Sequence, residues 1–308
     1  MITGANGFIA GYLSEFLKGN DYEVIGIRRH RGVNVERDNE QSHVYACDTK
    51  DENNLKRILK ETSPAVIFHL AAQSLPSLSW QEPERTIQEN MIGTLNLLKC
   101  ARTLGLNTRI IIFGSSSEYA PSSNPISEDA PLKPSSPYAL SKIGSTMLAK
   151  LYQETYGMDI VIVRPFFIIG PRKTADVCSS FARGIVQVER GIARTLHVGN
   201  LNSVRDFLDV EDAVKAIFEI HNKAESGETY NISSGIGTPI FKVLEILKSK
   251  AQMAISIEEV SPQNRPLDIP VVVGANQKLR GLGWTPKIKL DESLSRILDF
   301  WRNDVQRP

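Results

Sequence analysis

The sequence lacks the features that mark membrane, secreted and metal-binding proteins. No apolar run reaches the roughly 18 residues that a bilayer span needs, and the segment Met1–Gly4 has no basic region followed by an apolar stretch. The cysteines, Cys47, Cys100 and Cys178, are odd in number and widely spaced, which argues against a disulfide framework. The five histidines show no metal-ligand spacing. We therefore expect a cytoplasmic protein with no membrane partner and no metal site.

The sequence also lacks an excess of charge of either sign. The formal net charge of the 308 residues is +1, and no basic stretch is interleaved with aromatic residues. Nucleic acid is therefore not an expected partner. An anionic small molecule must instead be held by a few placed cations.

Short apolar runs alternate with helical patterns through the first two thirds of the chain, as in an α/β protein. The apolar residues of the first helix recur at Ile9, Leu13 and Leu17, and Ser136 followed by Pro137 marks the start of a later helix. The predicted strands are Tyr22–Ile27, His43–Cys47, Ala65–Leu70, Arg109–Phe113 and Asp159–Arg164. This alternation predicts a Rossmann-type doubly wound parallel sheet.

The last third is less regular and carries Gly and Pro punctuation, for example at 235–239 and 281–286. We expect a smaller α/β domain that binds substrate. The predicted division places residues 1–170 in a dinucleotide-binding domain and residues 171–308 mainly in the substrate domain, with segments that cross back to the sheet.

The start of the chain resembles a phosphate-binding loop. Gly4 and Gly7, with Asn6 between them, precede a helix that opens with Phe8 and Ile9. Glycines allow a tight turn and let backbone N–H groups approach a pyrophosphate at a helix N-terminus. Only two residues precede the loop, where a strand of about five is usual, so we expect the natural start to lie upstream.

Arg28 and Arg29 follow the second predicted strand, where an NAD site usually carries an acid that binds the ribose 2′-hydroxyl. Guanidinium groups make paired bonds to phosphate, so this pair favours NADP(H) over NAD(H). A solvated basic loop is the alternative interpretation. Asp48, after the third strand, is a candidate for the adenine amino group or for an ordinary turn.

Three residues form a candidate catalytic group. Tyr138 and Lys142 are four residues apart on a predicted helix, so they share a face. A lysine cation beside a phenol lowers the phenol's pKa and suits it to proton exchange. Ser115 follows a predicted buried strand, where its hydroxyl can bond a substrate oxygen. A surface Tyr–Lys pair is the alternative.

Taken in order, these features resemble the extended short-chain dehydrogenase/reductase family. The shared segments are Thr3-Gly4-x-x-Gly7, His69-Leu70-Ala71-Ala72-Gln73, Asn90-x-x-Gly93-Thr94, Ser115, Tyr138-x-x-x-Lys142, Arg164-Pro165 and Gly283-Trp284-x-Pro286. The resemblance implies hydride transfer between nicotinamide and a hexose carbon, with Tyr138 as acid or base. Lys142 would also hold the nicotinamide ribose. Further cofactor contacts are expected at Thr49, Leu70, Ala71, Ala72 and Asn90.

A homodimer is also implied, with helices at Pro83–Leu104 and Pro137–Tyr156 pairing with their copies in a four-helix bundle. The apolar residues of these helices fit an internal core equally well.

Two segments resemble the branch that contains GDP-mannose 4,6-dehydratases and GDP-4-keto-6-deoxy-mannose reductases: Gly199-Asn200-Leu201-x-x-x-Arg205-Asp206 and Ile27-Arg28-Arg29. The expected substrate is therefore a nucleotide sugar, with GDP as the expected nucleotide. Arg205 and Arg265 are candidates for its diphosphate, or for structural salt bridges. The other expected substrate contacts are Gln73, Ser74, Ser116, Arg183 and Asn200.

The dehydratases resembled here carry an acid two residues before the strand-end tyrosine. That position is Ser117 in this chain, and Glu118 is adjacent. We therefore favour an NADPH-dependent reductase of a GDP-linked 4-keto-6-deoxyhexose. The alternatives are a GDP-mannose 4,6-dehydratase that uses Glu118, another nucleotide-sugar epimerase or dehydratase, and a non-catalytic NADP-binding module. Phe167 and Ile168 replace the Asn-His pair that is typical of the reductases. Because that Asn typically contacts the substrate, the exact sugar can differ from theirs.

Overall fold

The computed structural model describes residues 1–29, 42–260 and 269–304, and strands alternate with helices as far as residue 165. In chain order these elements are β1 (Ile2–Thr3), α1 (Phe8–Lys18), β2 (Val24–Arg28), β3 (Ser42–Ala46), α2 (Glu52–Thr62), β4 (Val66–His69), α3 (Pro76–Gln81), α4 (Pro83–Ile87), a π-helical turn (Gln88–Ile92), α5 (Gly93–Thr103), β5 (Arg109–Phe113), a 3₁₀ turn (Ser116–Glu118), α6 (Pro137–Tyr156) and β6 (Ile160–Pro165).

Short strands and four helices of ten or more residues make up most of the rest of the described chain. They are β7 (Phe167–Ile169), α7 (Val177–Glu189), β8 (Leu196–Val198), β9 (Val204–Asp209), α8 (Val210–Lys223), β10 (Thr229–Ile232), β11 (Gly237–Pro239), α9 (Ile240–Ser249), β12 (Ile257–Glu259), β13 (Val271–Val272), α10 (Gln277–Gly281) and α11 (Leu290–Asn303).

The main sheet has seven parallel strands in the order β10-β6-β5-β4-β1-β2-β3. Its central strands are buried runs such as Arg109–Phe113, as expected when helices cover both faces. The predicted Rossmann-type sheet is confirmed, and the five predicted strands lie within two residues of the observed ones. β1 has only two residues, yet it pairs with β2 and β4, so the sheet is continuous across it.

The predicted helices at the site differ in regularity. α6 begins and ends as predicted: the Ser136 side chain accepts a hydrogen bond from Ala139 N, and Pro137 is the first helical residue. The helix predicted from Pro83 to Leu104 is interrupted by the π-helical turn. Such a turn accommodates one extra residue in a helix, and the hydrophobic period across it gives no sign of that insertion.

The later elements form a second layer beside the main sheet. β9 pairs with β11, β13 and β7, and a separate apolar core lies among α7, α9 and α11. The chain then returns to the main sheet, where β10 pairs with β6 and α8 packs against α1. The division at residue 170 remains a prediction. The segments that return to the main sheet include residues 210–232 and also α10, which packs against β10.

Candidate active site

A cavity of about 2520 Å³ runs along the carboxyl ends of the main strands and reaches β9. Its lining begins at the loop Gly4–Gly11 and includes Ser115, Tyr138 and Lys142, and it ends near Asn200 and Arg205. Both the predicted cofactor loop and the predicted catalytic group therefore open into one cavity.

The loop at Gly4 has the shape that a pyrophosphate requires. Gly4 has a φ of +69°, and a Cβ added there would lie 2.8 Å from Ala71 N. Gly7 N donates to Gly4 O at 2.8 Å, and α1 begins directly after Gly7 without a capping side chain. The first N–H groups of α1 thus face the cavity in the arrangement that binds anions. Asn6, Phe8 and Ile9 also line it, as predicted.

Two arginines at the end of β2 have different partners. Arg28 lines the cavity and donates to Asn6 Oδ1 at 3.4 Å, and its buried Nε has no hydrogen-bond partner in the described part of the chain. Arg29 instead donates to the Glu89 carboxylate. A guanidinium that lines this end of the cavity and has no carboxylate partner among the described residues fits a 2′-phosphate. Asp48 and Thr49 line the same end.

Some residues of the segment after β4 line the cavity, and others support its wall from behind. Leu70, Ala71, Ala72 and Ser74 line the cavity. Asn90, predicted as a cofactor contact, and Gln73, predicted as a substrate contact, do not. Asn90 Oδ1 accepts from Gln73 N at 2.8 Å, and Asn90 Nδ2 donates to Gln73 O at 3.1 Å and to Ser141 Oγ at 2.8 Å. Both side chains are buried and hold this wall in place rather than face the cavity.

His69 of the same segment is a structural residue. Its ring nitrogens bond the hydroxyls of Thr3 at 2.9 Å and Thr94 at 3.0 Å, which joins β4 to β1 and α5. Burial lowers the pKa of His69 to about 3, with the Lys142 charge adding to the effect. The ring is therefore neutral at physiological pH.

Ser115, Tyr138 and Lys142 lie together and are buried. Ser115 stands at the start of the 3₁₀ turn after β5, where its Oγ accepts from Ser117 N at 3.1 Å and its side chain bonds that of Tyr138. Lys142 Nζ donates to Phe113 O at 2.7 Å. The three residues come together because the carboxyl end of β5 lies beside the first turns of α6.

The pKa values of this group are set mainly by burial. Burial raises the pKa of Tyr138 to about 12, although the hydrogen bond with Ser115 opposes the rise. Burial also lowers the pKa of Lys142 to about 8, although Glu118 opposes that shift. The expected lowering of the Tyr138 pKa is therefore wrong in sign, because desolvation of the phenolate dominates. At neutral pH Tyr138 holds its proton and Lys142 is mostly charged.

Glu118 is fully buried and does not line the cavity. Its Oε2 accepts from Arg164 Nε at 2.9 Å and from Thr146 Oγ1 at 3.0 Å, and its Oε1 accepts from Ser115 N at 2.8 Å. Ser117 and Tyr119 on either side do line the cavity. The Glu118 carboxylate therefore points away from the cavity.

The far end of the cavity holds the predicted substrate residues. Ser74, Ser116, Asn200 and Arg205 line it. Arg205 donates to Val204 O at 2.9 Å, and its guanidinium carbon lies 5.5 Å from the centre of the Phe167 ring.

Not every predicted substrate residue lies in the cavity. Arg183, on α7, is absent from the lining and packs against Trp301, at 5.7 Å from the ring centre. Arg265 lies outside the described residues. Ile168, one of the two departures from the reductase pattern, packs in the main core and also lines the cavity.

Some lining residues carry no recognisable signal in the sequence. Lys173 Nζ donates to Ile168 O at 2.6 Å and lies 5.5 Å from the centre of the Phe8 ring. Trp80 of α3 lines the cavity with half of its surface exposed. Glu89 lines the cofactor end. None of the three belongs to a motif quoted above, although Glu89 directly precedes Asn90, so only the tertiary fold shows that they line the cavity.

Within the described ranges, no three or more His, Cys, Asp and Glu side chains are grouped to hold a metal ion. Nor does any described helix have the length and apolar character to cross a membrane.

Comparison with known proteins places this cavity in a family. A family model described as GDP-mannose 4,6 dehydratase matches residues 1–297. The chain is 31% identical over 313 residues to the GDP-6-deoxy-D-mannose reductase of Pseudomonas aeruginosa, covering 99% of this chain and 97% of that one. It is 27% identical over 343 residues to a GDP-mannose 4,6-dehydratase of Vibrio cholerae, covering 97% and 92%.

Solved structures agree over the whole fold. The structure of RMD from Pseudomonas aeruginosa complexed with NADPH has a TM-score of 0.85 at 28% identity, and 99% of each chain is covered. The UDP-glucose 4-epimerase of Thermotoga maritima with UDP-glucose has a TM-score of 0.89 at 27% identity, again with 99% of each chain covered. The chain therefore belongs to the GDP-mannose 4,6-dehydratase family, within the extended short-chain dehydrogenases/reductases.

Proposed function

We propose that this protein is an NADPH-dependent reductase that converts the 4-keto group of a GDP-linked 6-deoxyhexose to an alcohol. The observation that carries the proposal is the state of the two positions before Tyr119. Ser117 faces the cavity as a hydroxyl, and the Glu118 carboxylate is held by Arg164 in the core. Removal of water from a sugar needs an additional acid/base group, and neither residue supplies one here.

The residues present fit a bound NADP(H). The glycine loop at Gly4 and the Arg28 side chain both line the cavity, and Arg28 Nε has no hydrogen-bond partner among the described residues. Arg28 would hold the 2′-phosphate, and the first N–H groups of α1 would hold the pyrophosphate. Lys142 would hold the nicotinamide ribose, with Asp48, Thr49, Leu70, Ala71 and Ala72 along the wall between these points. The bound nicotinamide supplies the hydride for the sugar carbon.

The protein's own part in the reaction is proton donation. Because the pKa of Tyr138 is raised to about 12, its phenol is protonated at neutral pH and can donate to the carbonyl oxygen as the carbon accepts hydride. The product is an alcohol, and the phenolate left behind is stabilised by the Lys142 charge. Ser115 would hold the same substrate oxygen.

The substrate assignment draws on the relatives named above and on the cavity. Arg205 at its far end suits a diphosphate, since a guanidinium fork matches phosphate oxygens. Ser74, Ser116 and Asn200 lie nearby to bind the sugar and the nucleotide. Phe167 gives this end an apolar wall, whereas the reductases that this chain resembles typically carry an asparagine at that position.

We also propose a homodimer. Leu140, Met147 and Leu151 recur on one face of α6 and are about half exposed, and Ile92 lies exposed on the adjacent π-helical turn. Exposed apolar side chains in one stripe are typical of an interface between subunits. Light scattering should give a mass of two chains for the wild type and of one chain for Met147→Glu.

The three cysteines are buried and unpaired, which fits a reducing cytoplasm.

The decisive experiment follows NADPH absorbance when the purified protein meets GDP-4-keto-6-deoxy-mannose. We expect rapid oxidation by the wild type and a loss of at least about a hundredfold in Tyr138→Phe, which keeps the ring but removes the proton. Absence of turnover with NADPH still bound would overturn the substrate assignment. Formation of a 4-keto product from GDP-mannose would favour the dehydratase, and no turnover on any nucleotide sugar would favour a non-catalytic binding module.

A further inference from the structure

The Glu89 carboxylate lies in the cavity wall between two arginines. It stands in the π-helical turn and is only 7% exposed, although it lines the cofactor end of the cavity. It accepts from Arg29 and, at 2.7 Å, from Arg85 Nε. A buried carboxylate is costly unless it is paired, so Glu89 holds these two guanidinium groups firmly.

Arg29 is therefore not in the same position as Arg28. Arg28 has a buried donor with no partner among the described residues and contacts the phosphate loop through Asn6. Arg29 donates to a carboxylate that cannot follow it into the cavity, because Glu89 is also fixed by Arg85. Both arginines line the cavity, but only Arg29 is paired with a carboxylate.

We propose that Glu89 withholds Arg29 from the ribose 2′-phosphate and so limits the protein's preference for NADPH over NADH. The inference rests on the proposed cofactor. A phosphate monoester carries nearly two negative charges at neutral pH, and it would compete with Glu89 for Arg29. It would also be repelled by a carboxylate that stays behind in the wall. Arg28 then binds the phosphate, and Glu89 is a specificity-determining residue that acts through Arg29 and does not touch the reacting atoms.

Glu89→Gln tests this directly, because the amide keeps the size of the carboxylate but removes its charge. Arg29 and Arg85 are each about half exposed, so water solvates them and the variant is expected to fold. The freed Arg29 can then make a charge-assisted bond to phosphate. We expect the dissociation constant for NADPH to fall by about tenfold. The constant for NADH should change by less than about twofold, since a 2′-hydroxyl offers no charge to Arg29.

Glu82→Gln is the matched control. Glu82 accepts from Arg85 at 2.6 Å in the same cluster but does not bond Arg29. Fluorescence titration of each variant with NADPH and with NADH should therefore give wild-type constants for Glu82→Gln. The gain in Glu89→Gln should shrink at high salt, because Arg29 is partly exposed and the interaction is screened.

Two further variants assign the effect to Arg29. The gain should vanish in Glu89→Gln/Arg29→Gln, whereas Arg29→Gln alone should shift NADPH binding by less than about twofold, because Glu89 already holds that residue. The inference is overturned if Glu89→Gln gains nothing, if Glu82→Gln gains equally, if the gain survives in the double variant, or if Arg29→Gln alone weakens NADPH tenfold. A wild type that does not bind NADPH would overturn the proposed function instead.

Discussion

The close approach of Gly4 to Ala71 allows a prediction with a built-in control. Gly4→Ala places a Cβ 2.8 Å from Ala71 N and 2.9 Å from Ala71 Cα, in a residue whose φ is +69°. Gly105, after α5, has a φ of +61° but no heavy atom within 4 Å of its added Cβ. Both substitutions incur the cost of a left-handed residue, about 1–2 kcal/mol. Only Gly4→Ala adds a clash with backbone, which cannot rotate away and costs about 1–3 kcal/mol more.

Urea unfolding of both variants measures this difference. We expect Gly105→Ala to lower the free energy of unfolding by about 1–2 kcal/mol and Gly4→Ala by about 2–5 kcal/mol. Fluorescence titration should show weaker NADPH binding in Gly4→Ala alone, because the displaced loop no longer meets the pyrophosphate. Equal destabilisation of the two variants, or unchanged NADPH affinity in Gly4→Ala, would refute the argument from close approach.

Lys142→Met should raise the free energy of unfolding by up to about 3 kcal/mol at pH 7. The pKa of Lys142 is lowered to about 8 in the folded protein, so the buried charge destabilises the fold fully below pH 8. This destabilisation fades as the pH rises from 8 to 10.5. A gain in urea midpoint that does not shrink at pH 10 would contradict this. Arg164→Met should cost about 3–5 kcal/mol, because it leaves Glu118 buried and unpaired; Glu118→Gln/Arg164→Met should recover part of that loss, and a cost below about 1 kcal/mol in the single variant would count against it. Phe167→Ala removes the ring beside Arg205 and should weaken GDP binding about two- to fivefold by calorimetry, whereas equal weakening of NADPH would point to a general defect.

The fold and the catalytic group follow from local patterns in the sequence. The strands are short buried runs, α6 carries its own start signal in Ser136 and Pro137, and the spacing of Tyr138 and Lys142 fixes their common face. These features depend on a few neighbouring residues, so the chain order of strand, turn and helix is enough to predict them.

The features that the sequence does not predict depend on contacts distant in the chain. The sign of the Tyr138 pKa shift is set by the depth of its burial, which α6 and the strand ends determine together. Gln73 and Asn90 belong to two recognisable segments, but these two residues are turned away from the cavity by hydrogen bonds between the segments. Arg183 lies on a helix whose rotation is fixed by packing on Trp301.

The return of the chain to β10 has a consequence for biosynthesis. β6 acquires its outer neighbour only when residues 229–232 have left the ribosome, after much of the second layer is already made. Until then β6 is an edge with unpaired backbone groups, the kind of surface on which other strands can pair. The nascent protein therefore passes through a period in which its dinucleotide-binding sheet is one strand short. A stop within α8 would release that sheet with an open edge, and we expect such a fragment to aggregate rather than to bind nucleotide.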